Sequence, residues 1–402
     1  MPASPSSLSS FVDAVTDTEV PDAELSPVQS IKLLQALSGV PDPRRRRGRR
    51  HSLQSVLLIA VCAVLAGART YAAIGDWAAS AAPTVRVCGA PAHAATIRRV
   101  LMAADPVAVQ AALTAWALSC LAAVSAADQQ VASPRNAGRQ VLAVDGKTLR
   151  GARAPDGSQA KLVSVIDHRR GLVLTQTEVA EGNEIAAFVT ALDTLPVLRG
   201  WLITADALHA QRSHADYLLG RGAHYLFTVK ANQPTLRRAL AGLPWIAAPR
   251  EQDPGAPRRH GRYESRTATV IDCDSTGIEQ LFPGAARAMQ VVRRRTDSRT
   301  GKTSTETVYA ITSLGHRYAD AVLLASWLRG HWQIENALHW VRDVTFGEDH
   351  SQIRKGAGPQ NMAGLRNAAI TLSRLAGHTN IAAAQRHYSW TPGAAHDAVT
   401  TA

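Results

Sequence analysis

Apolar positions along the chain change their spacing twice. From about residue 26 to 124 they recur every three or four residues, the period of helices packed on one another. Ile31 to Leu37 predicts a short helix that the Pro-Asp-Pro at Pro41 to Pro43 stops, and Leu53 to Ala66 predicts a long, almost wholly apolar one. Tyr71 to Ser80 and His93 to Met102 predict two more, the latter carrying Arg98 and Arg99 on one side. Asp105-Pro106 is an N-cap followed by proline at the first helical position, opening a helix to about Val124. Residues 1–25 are small and polar without a sustained period, as in a flexible leader. Residues 26–124 thus form an all-helical N-terminal domain, and the turn-forming stretch 125–140 reads as a linker.

From residue 141 short apolar runs alternate with helical periods. Val141 to Val144 predicts a strand running into Asp145. Lys161 to Asp167 and Leu172 to Val179 predict a hairpin. Trp201 to Ala205 and His224 to Val229 predict two further strands, separated by helices over Glu184 to Leu195 and Ser213 to Leu219. This is the grammar of a mixed α/β sheet covered by helices. Between about 231 and 314 short β-like stretches lie among Gly, Pro and Arg-rich loops such as PGAPRRHGR, which reads as a β-rich insertion. A long helix is expected from about Ala319 to Val344, a last one from about Asn361 to Leu375, and a weakly ordered tail over 376–402.

Composition narrows the class. The 402 residues are 46% hydrophobic and 19% charged, so the chain can bury a real core and is no disordered polycation. Lys and Arg number 44 against 32 Asp and Glu, a net charge of +12, which suits a polyanionic partner. Cys62, Cys88, Cys120 and Cys273 lack CxxC or finger spacing, arguing against a disulfide framework or structural zinc and for a reducing compartment. RRRRGRR at Arg44 to Arg50, followed by the apolar run Val56 to Ala66, mimics an export signal. That run is shorter than the roughly 18–20 residues needed to cross a bilayer, so a buried helix behind a basic loop is expected, with no membrane partner.

Asp145 and Asp206 both stand where an apolar strand meets a loop, the end at which α/β sheets expose functional groups, although Asp also serves routinely as a turn residue there. A third carboxylate, Glu335, lies in LRGHWQIENALHWVRDVTFGED, where helical spacing places His331, Leu338, His339 and Arg342 near one face and Trp332 and Trp340 on a neighbouring stripe. His331, Glu335 and His339 at i, i+4 and i+8 would span about 12 Å along a helix, too far for one ion. Three carboxylates from two strands and a helix suit Mg²⁺, and two such ions roughly 3.5–4 Å apart can drive phosphodiester displacement.

Seven segments in order carry a resemblance that spans roughly residues 30 to 375. They are PDPRRRRGRRHSL (Pro41 to Leu53), ATIRRVL (Ala95 to Leu101), AVDGKTLRGA (Ala143 to Ala152), ITADALHAQ (Ile203 to Gln211), YLFTVKANQPTL (Tyr225 to Leu236), RGHWQIENALHWVRDVTFGED (Arg329 to Asp349) and NMAGLRNAAITL (Asn361 to Leu372). The chain resembles the bacterial insertion-sequence DDE transposases of the ISAs type, relatives of the H-repeat-associated proteins. The resemblance implies a ribonuclease-H-like catalytic core over 141–375 with a β-rich insertion, and a triad of Asp145, Asp206 and Glu335 ligating two Mg²⁺ ions, with Mn²⁺ able to substitute. It implies cleavage of phosphodiester bonds at element ends and strand transfer, by a homodimer on double-stranded DNA that carries the terminal inverted repeats and the target, in a cytoplasmic, nucleoid-associated protein. The wider group often has a Tyr-Arg-Glu-Lys signature about the Glu; this chain has Leu328, His331, Glu335 and Arg342.

DNA contacts are expected from Arg44, Arg45, Arg46, Arg47, Arg49 and Arg50, from Arg98 and Arg99 on a short helix, and from Lys147, Lys230, His331 and Arg342, with Trp332 stacking on a base. The alternatives at this stage are a silent DNA-binding descendant of a transposase, a structure-selective nuclease, and a helical domain that dimerises rather than reads DNA.

Overall fold

The computed structural model describes residues 31–81, 92–129, 139–153, 157–252, 262–274 and 276–402. The expected leader and most of the expected linker lie outside these residues, as does most of the PGAPRRHGR loop.

Five helices come first: α1 (Leu33–Ser38), α2 (Leu53–Leu65), α3 (Tyr71–Ser80), α4 (Ala94–Ala103) and α5 (Pro106–Gln129). Their starts follow from local chemistry. Ser52 and Thr70 accept from the backbone N–H groups of Ser55 and Ala73, and Asp105 Oδ1 accepts from Val107 N at 3.0 Å just ahead of the first-turn proline. Residue by residue α2 is buried almost all round, which accounts for its lack of polar positions. α5 runs to Gln129, into the stretch expected as linker. Its segment Pro106–Ala127 is long and apolar enough to cross a membrane by length and composition, the only such segment among the described residues. In this structure α5 packs against α1 and the edge of the sheet.

The sheet has nine strands in the order β3-β2-β1-β4-β5-β9-β8-β7-β6. β1 (Val141–Arg153), β2 (Gln159–Asp167) and β3 (Val173–Glu178) form an antiparallel meander. After α6 (Glu184–Asp193), β4 (Leu202–Ala205) pairs parallel to β1; after α7 (Arg212–Gly220), β5 (His224–Val229) pairs parallel to β4. α8 (Pro234–Ala241) leads to β6 (Arg250–Gln252), β7 (Arg262–Asp272), the short α9 (Ile278–Leu281), β8 (Arg287–Asp297) and β9 (Thr303–Thr312). β9 pairs antiparallel with β5, so the β-rich block expected as an insertion prolongs the central sheet.

The long helix expected over Ala319 to Val344 is divided. α10 covers Ala321–Gly330, and two π-helical turns follow at Glu335–His339 and Val341–Thr345. The break falls at a glycine, where a Cβ would lie 2.6 Å from His168 Nδ1, so the helix can pass this close to the sheet only with Gly330 there. α11 (Gly358–Leu375) then runs almost fully buried between the sheet and the N-terminal helices.

The expectation of a weakly ordered tail is wrong. α12 (Ile381–Trp390) and α13 (Pro392–Thr401) bury Ile381, Ala384, Tyr388, Ala395 and Val399 against α2, and Leu33 N donates to Ala402 O at 2.9 Å. Small alanines on these helices gave little periodic contrast, yet they permit close packing. One apolar cluster runs continuously from α1 and α2 through α11 to Val144, Ile203 and Phe227 on the sheet, so the helical region and the α/β region share a core. A second cluster, with Leu202, Leu226, Met289, Leu324 and Ala325, seals the opposite face beneath α10.

Candidate active site

Sheet register brings the two aspartates together. Val144 on β1 pairs with Ala205 on the parallel β4, so Asp145 and Asp206 are the next residues on adjacent strands. Their settings differ. β4 ends at Ala205, and Asp206 caps a 3₁₀ turn over Ala207–His209 by accepting from Leu208 N at 2.9 Å. β1 does not end at Asp145 as expected but continues to Arg153, so this acid stands within a strand that outlasts its parallel neighbour. The loop after Asp206 is braced by Asn232, which donates to Ala207 O, and by Gln233, whose Nε2 donates to Ala210 O at 2.9 Å.

Glu335 opens the first π-helical turn, and His339 joins it to Asp145. His339 Nδ1 lies 3.5 Å from Glu335 Oε2 and 3.6 Å from Asp145 Oδ2. Ligand atoms of Asp145, Glu335 and His339 all fall within 4.8 Å of one another. The wider turn departs from the α-helical spacing used to expect His331, Glu335 and His339 in one row, and it is the sort of local widening that accompanies functional sites. His339 was not expected to serve the site; its place four residues after Glu335 was the available signal.

Burial, with the charges of Glu335 and Asp206 close by, pushes the Asp145 carboxyl up to about 8. Glu335, half-exposed, is held below its usual value, first by its hydrogen bond to His339. Of the two carboxyls, Asp145 is the one whose anion burial disfavours. The carboxylate oxygens gathered at Asp145 and Glu335 suit a hard divalent cation.

A crevice of about 270 Å³ opens over the acids, lined by Asp145, Asp206, Lys230, Trp332 and Glu335 together with Arg266 and Arg293 from the prolonged sheet. Both arginines bond to Glu264, Arg266 Nε at 2.7 Å and Arg293 through Nε at 2.6 Å and Nη2 at 2.8 Å. Neither was expected from sequence, because their place beside the acids depends on β9 pairing with β5. Trp332 is 65% exposed and Lys230 is exposed at the crevice wall.

Other expected DNA contacts separate into two groups. Arg45, Arg46, Arg47 and Arg50 are exposed on the basic loop, as are Arg98 and Arg99 on α4. Arg44 is instead clamped, donating to both oxygens of Asp42 and to His51 O; Arg49 donates to Asp42 O and Arg44 O. Lys147 lies within β1 with its Nζ 2.5 Å from Asp343, and its side chain is buried. His331 Nδ1 lies 3.3 Å from Thr204 Oγ1, and burial depresses its pKa to about 4, so it carries no charge toward phosphate near neutrality.

Arg342 contradicts its expected role outright. It is 0% exposed and donates to both oxygens of Glu348 through Nε and Nη2, while Arg366 Nη1 donates to Oε1 of the same carboxylate at 2.7 Å. The helical face assumed for it is turned inward, and both guanidiniums are committed to one buried anion. Asp343 pairs with Lys147 and Asp349 with Arg150, leaving Glu335 as the carboxylate of this segment beside the aspartates.

Residues 136–372 match the family described as Transposase DDE domain, and residues 34–117 the family described as DDE_Tnp_1-associated. The chain is 30% identical over 360 residues to the "H repeat-associated putative transposase YhhI" of Escherichia coli (strain K12), covering 85% of this chain and 90% of that protein. It is 28% identical to the "Putative transposase YncI" of Escherichia coli O157:H7, with coverage of 85% and 87%. Among solved structures, a piggyBac transposase synaptic complex with hairpin DNA aligns over 92% of this chain and 80% of that chain, at TM-score 0.43 and 12% identity.

Proposed function

The chain belongs to the DDE transposase family, and from that premise we propose that Asp145, Asp206 and Glu335 hold two Mg²⁺ ions, replaceable by Mn²⁺, in a ribonuclease-H-like core. The observation carrying this reading is the register that sets Asp145 beside Asp206, with Glu335 linked to Asp145 through His339. The core assignment is supported by the strand order β3-β2-β1-β4-β5, antiparallel across the first three strands and parallel across the last two pairs. When bound, such ions activate water or a 3′-hydroxyl and stabilise the leaving oxygen of the phosphodiester.

The chain's own groups position the reaction. His339, buried and facing both carboxylates, fixes Glu335 against Asp145. Thr204 ties His168 and His331 together, at 2.8 and 3.3 Å, and so anchors the turn that bears Glu335 to β4. Lys230, Arg266 and Arg293 offer cations for backbone phosphates along the crevice, and Trp332 offers a stacking face for an unpaired base. Arg45, Arg46, Arg47, Arg50, Arg98 and Arg99 supply a second basic surface for the duplex. The DNA partners are the element's terminal inverted repeats and the target, bridged by a homodimer; a chromosomal substrate makes the protein cytoplasmic and nucleoid-associated.

The test is incubation of the purified chain with a labelled duplex bearing the element's own inverted-repeat end. Nicking at the end that requires Mg²⁺ or Mn²⁺ is expected; retention of the duplex in a stable complex without nicking would point to a silent DNA-binding protein instead.

A further inference from the structure

One carboxylate near the acids has no part in the triad. Glu184 begins α6, and its carboxylate lies directly against the peptide that follows Asp145: a methyl group built on Gly146 would stand 2.2 Å from Glu184 Oε1 and 2.8 Å from Oε2. The glycine in the Asp-Gly-Lys sequence therefore makes room for this side chain, since Gly146 sits within a strand, where turn geometry does not require glycine. Two buried imidazoles flank the same place. His209 is 0% exposed, with Nε2 3.6 Å from Glu184 Oε1, and neither ring nitrogen has a hydrogen-bond partner among the described residues. His339, 4% exposed, likewise leaves Nε2 unpartnered. Unsatisfied buried nitrogens are rare enough to require an explanation, and an absent ion or its water is a common one.

We propose that Glu184 is a fourth carboxylate of the cation site at Asp145, admitted by the bare Cα of Gly146 and backed by His209. This inference rests on the reading of Asp145 as a metal ligand. Charge supports it: three carboxylates against two dications leave a net positive site before DNA arrives, and a fourth neutralises it, with the DNA phosphate entering afterwards. His209 is sandwiched against Phe188, with ring centroids 4.9 Å apart, so it is fixed in a position to orient Glu184 rather than to reach the substrate.

The experiment is calorimetric titration of Mn²⁺ into the full chain without DNA, for the native protein and for Glu184→Gln, Gly146→Ala and Asp145→Asn, with circular dichroism and metal-free melting to show that each is folded. Glu184→Gln is expected to weaken Mn²⁺ about 10- to 100-fold and to shrink the Mn²⁺-induced rise in Tm. Gly146→Ala should do the same by displacing the carboxylate, and it keeps the question open to test if the Gln variant folds poorly. Binding by Glu184→Gln within about twofold of native, beside a marked loss in Asp145→Asn, would overturn the role of Glu184 alone. Unchanged binding in Asp145→Asn would overturn the metal-site reading beneath it.

Discussion

Replacing Glu348 by Gln probes the least expected feature of the structure, the burial of Arg342. Glu348 is 2% exposed and its two oxygens accept from Arg342 and Arg366, which are 0% and 2% exposed. The neutral amide would leave two guanidiniums buried without an anion, and removing one partner of a buried ionic group costs about 3–5 kcal/mol. The cost has a pH signature. Burial alone would raise the Glu348 pKa, but the two guanidiniums outweigh it and hold the carboxyl below its usual range. A carboxyl whose folded pKa is depressed stabilises the protein above its unfolded value, about 4.3, and loses that contribution as pH falls through the folded value. Urea unfolding should therefore place Glu348→Gln about 3–5 kcal/mol below native at pH 7, with the gap closing as the pH is lowered below 4. Arg342→Met should lose stability comparably while leaving the salt dependence of DNA binding unchanged. A stability loss under about 1 kcal/mol, or a reduced salt slope in Arg342→Met, would refute the reasoning and return Arg342 to the DNA-binding surface.

Other expectations follow from the same geometry. Trp332→Ala should leave stability within about 0.5 kcal/mol of native, because the ring is 65% exposed, yet weaken single-stranded end binding by about 1–3 kcal/mol, read by fluorescence anisotropy. Lys230→Ala should lower the log-log salt slope of DNA affinity by about one phosphate contact, measured from 50 to 200 mM salt. Asp145→Asn should melt above native in EDTA. With the Asp145 carboxyl raised to about 8, the unfolded chain releases its proton from near pH 4 while the folded one retains it, so the native protein loses stability over that window and the variant's advantage widens. Scanning fluorimetry from pH 4 to 8 checks the sign.

What was readable in the sequence followed local physics. Asp105-Pro106 announced the start of α5, and the apolar runs before Asp145 and Asp206 located β1 and β4, because capping and strand burial are written in consecutive residues. Asp145, Asp206 and Glu335 could be singled out as candidates because each stands in a distinctive segment. What failed depended on distant contacts. Nothing near Gly330 announced that the helix would end there and continue as π-helical turns, and unbroken α-helical spacing put Arg342 on a face with Glu335. Arg266 and Arg293 reach the crevice only because β9 pairs with β5, and nothing in the sequence around Gly146 showed that Glu184 occupies its missing side chain's place. The alanine-rich C-terminal segment lacked contrast, since small residues pack well without a strong hydrophobic period.

The most direct test of the central claim is joining of a labelled, pre-cleaved inverted-repeat end to plasmid DNA in Mg²⁺, with end binding measured on the same samples, for the native chain and for Asp145→Asn, Asp206→Asn and Glu335→Gln. Strand transfer by the native chain is expected, with its loss in all three variants while each still binds the end. Strand transfer that survives any one of the three substitutions would contradict that claim.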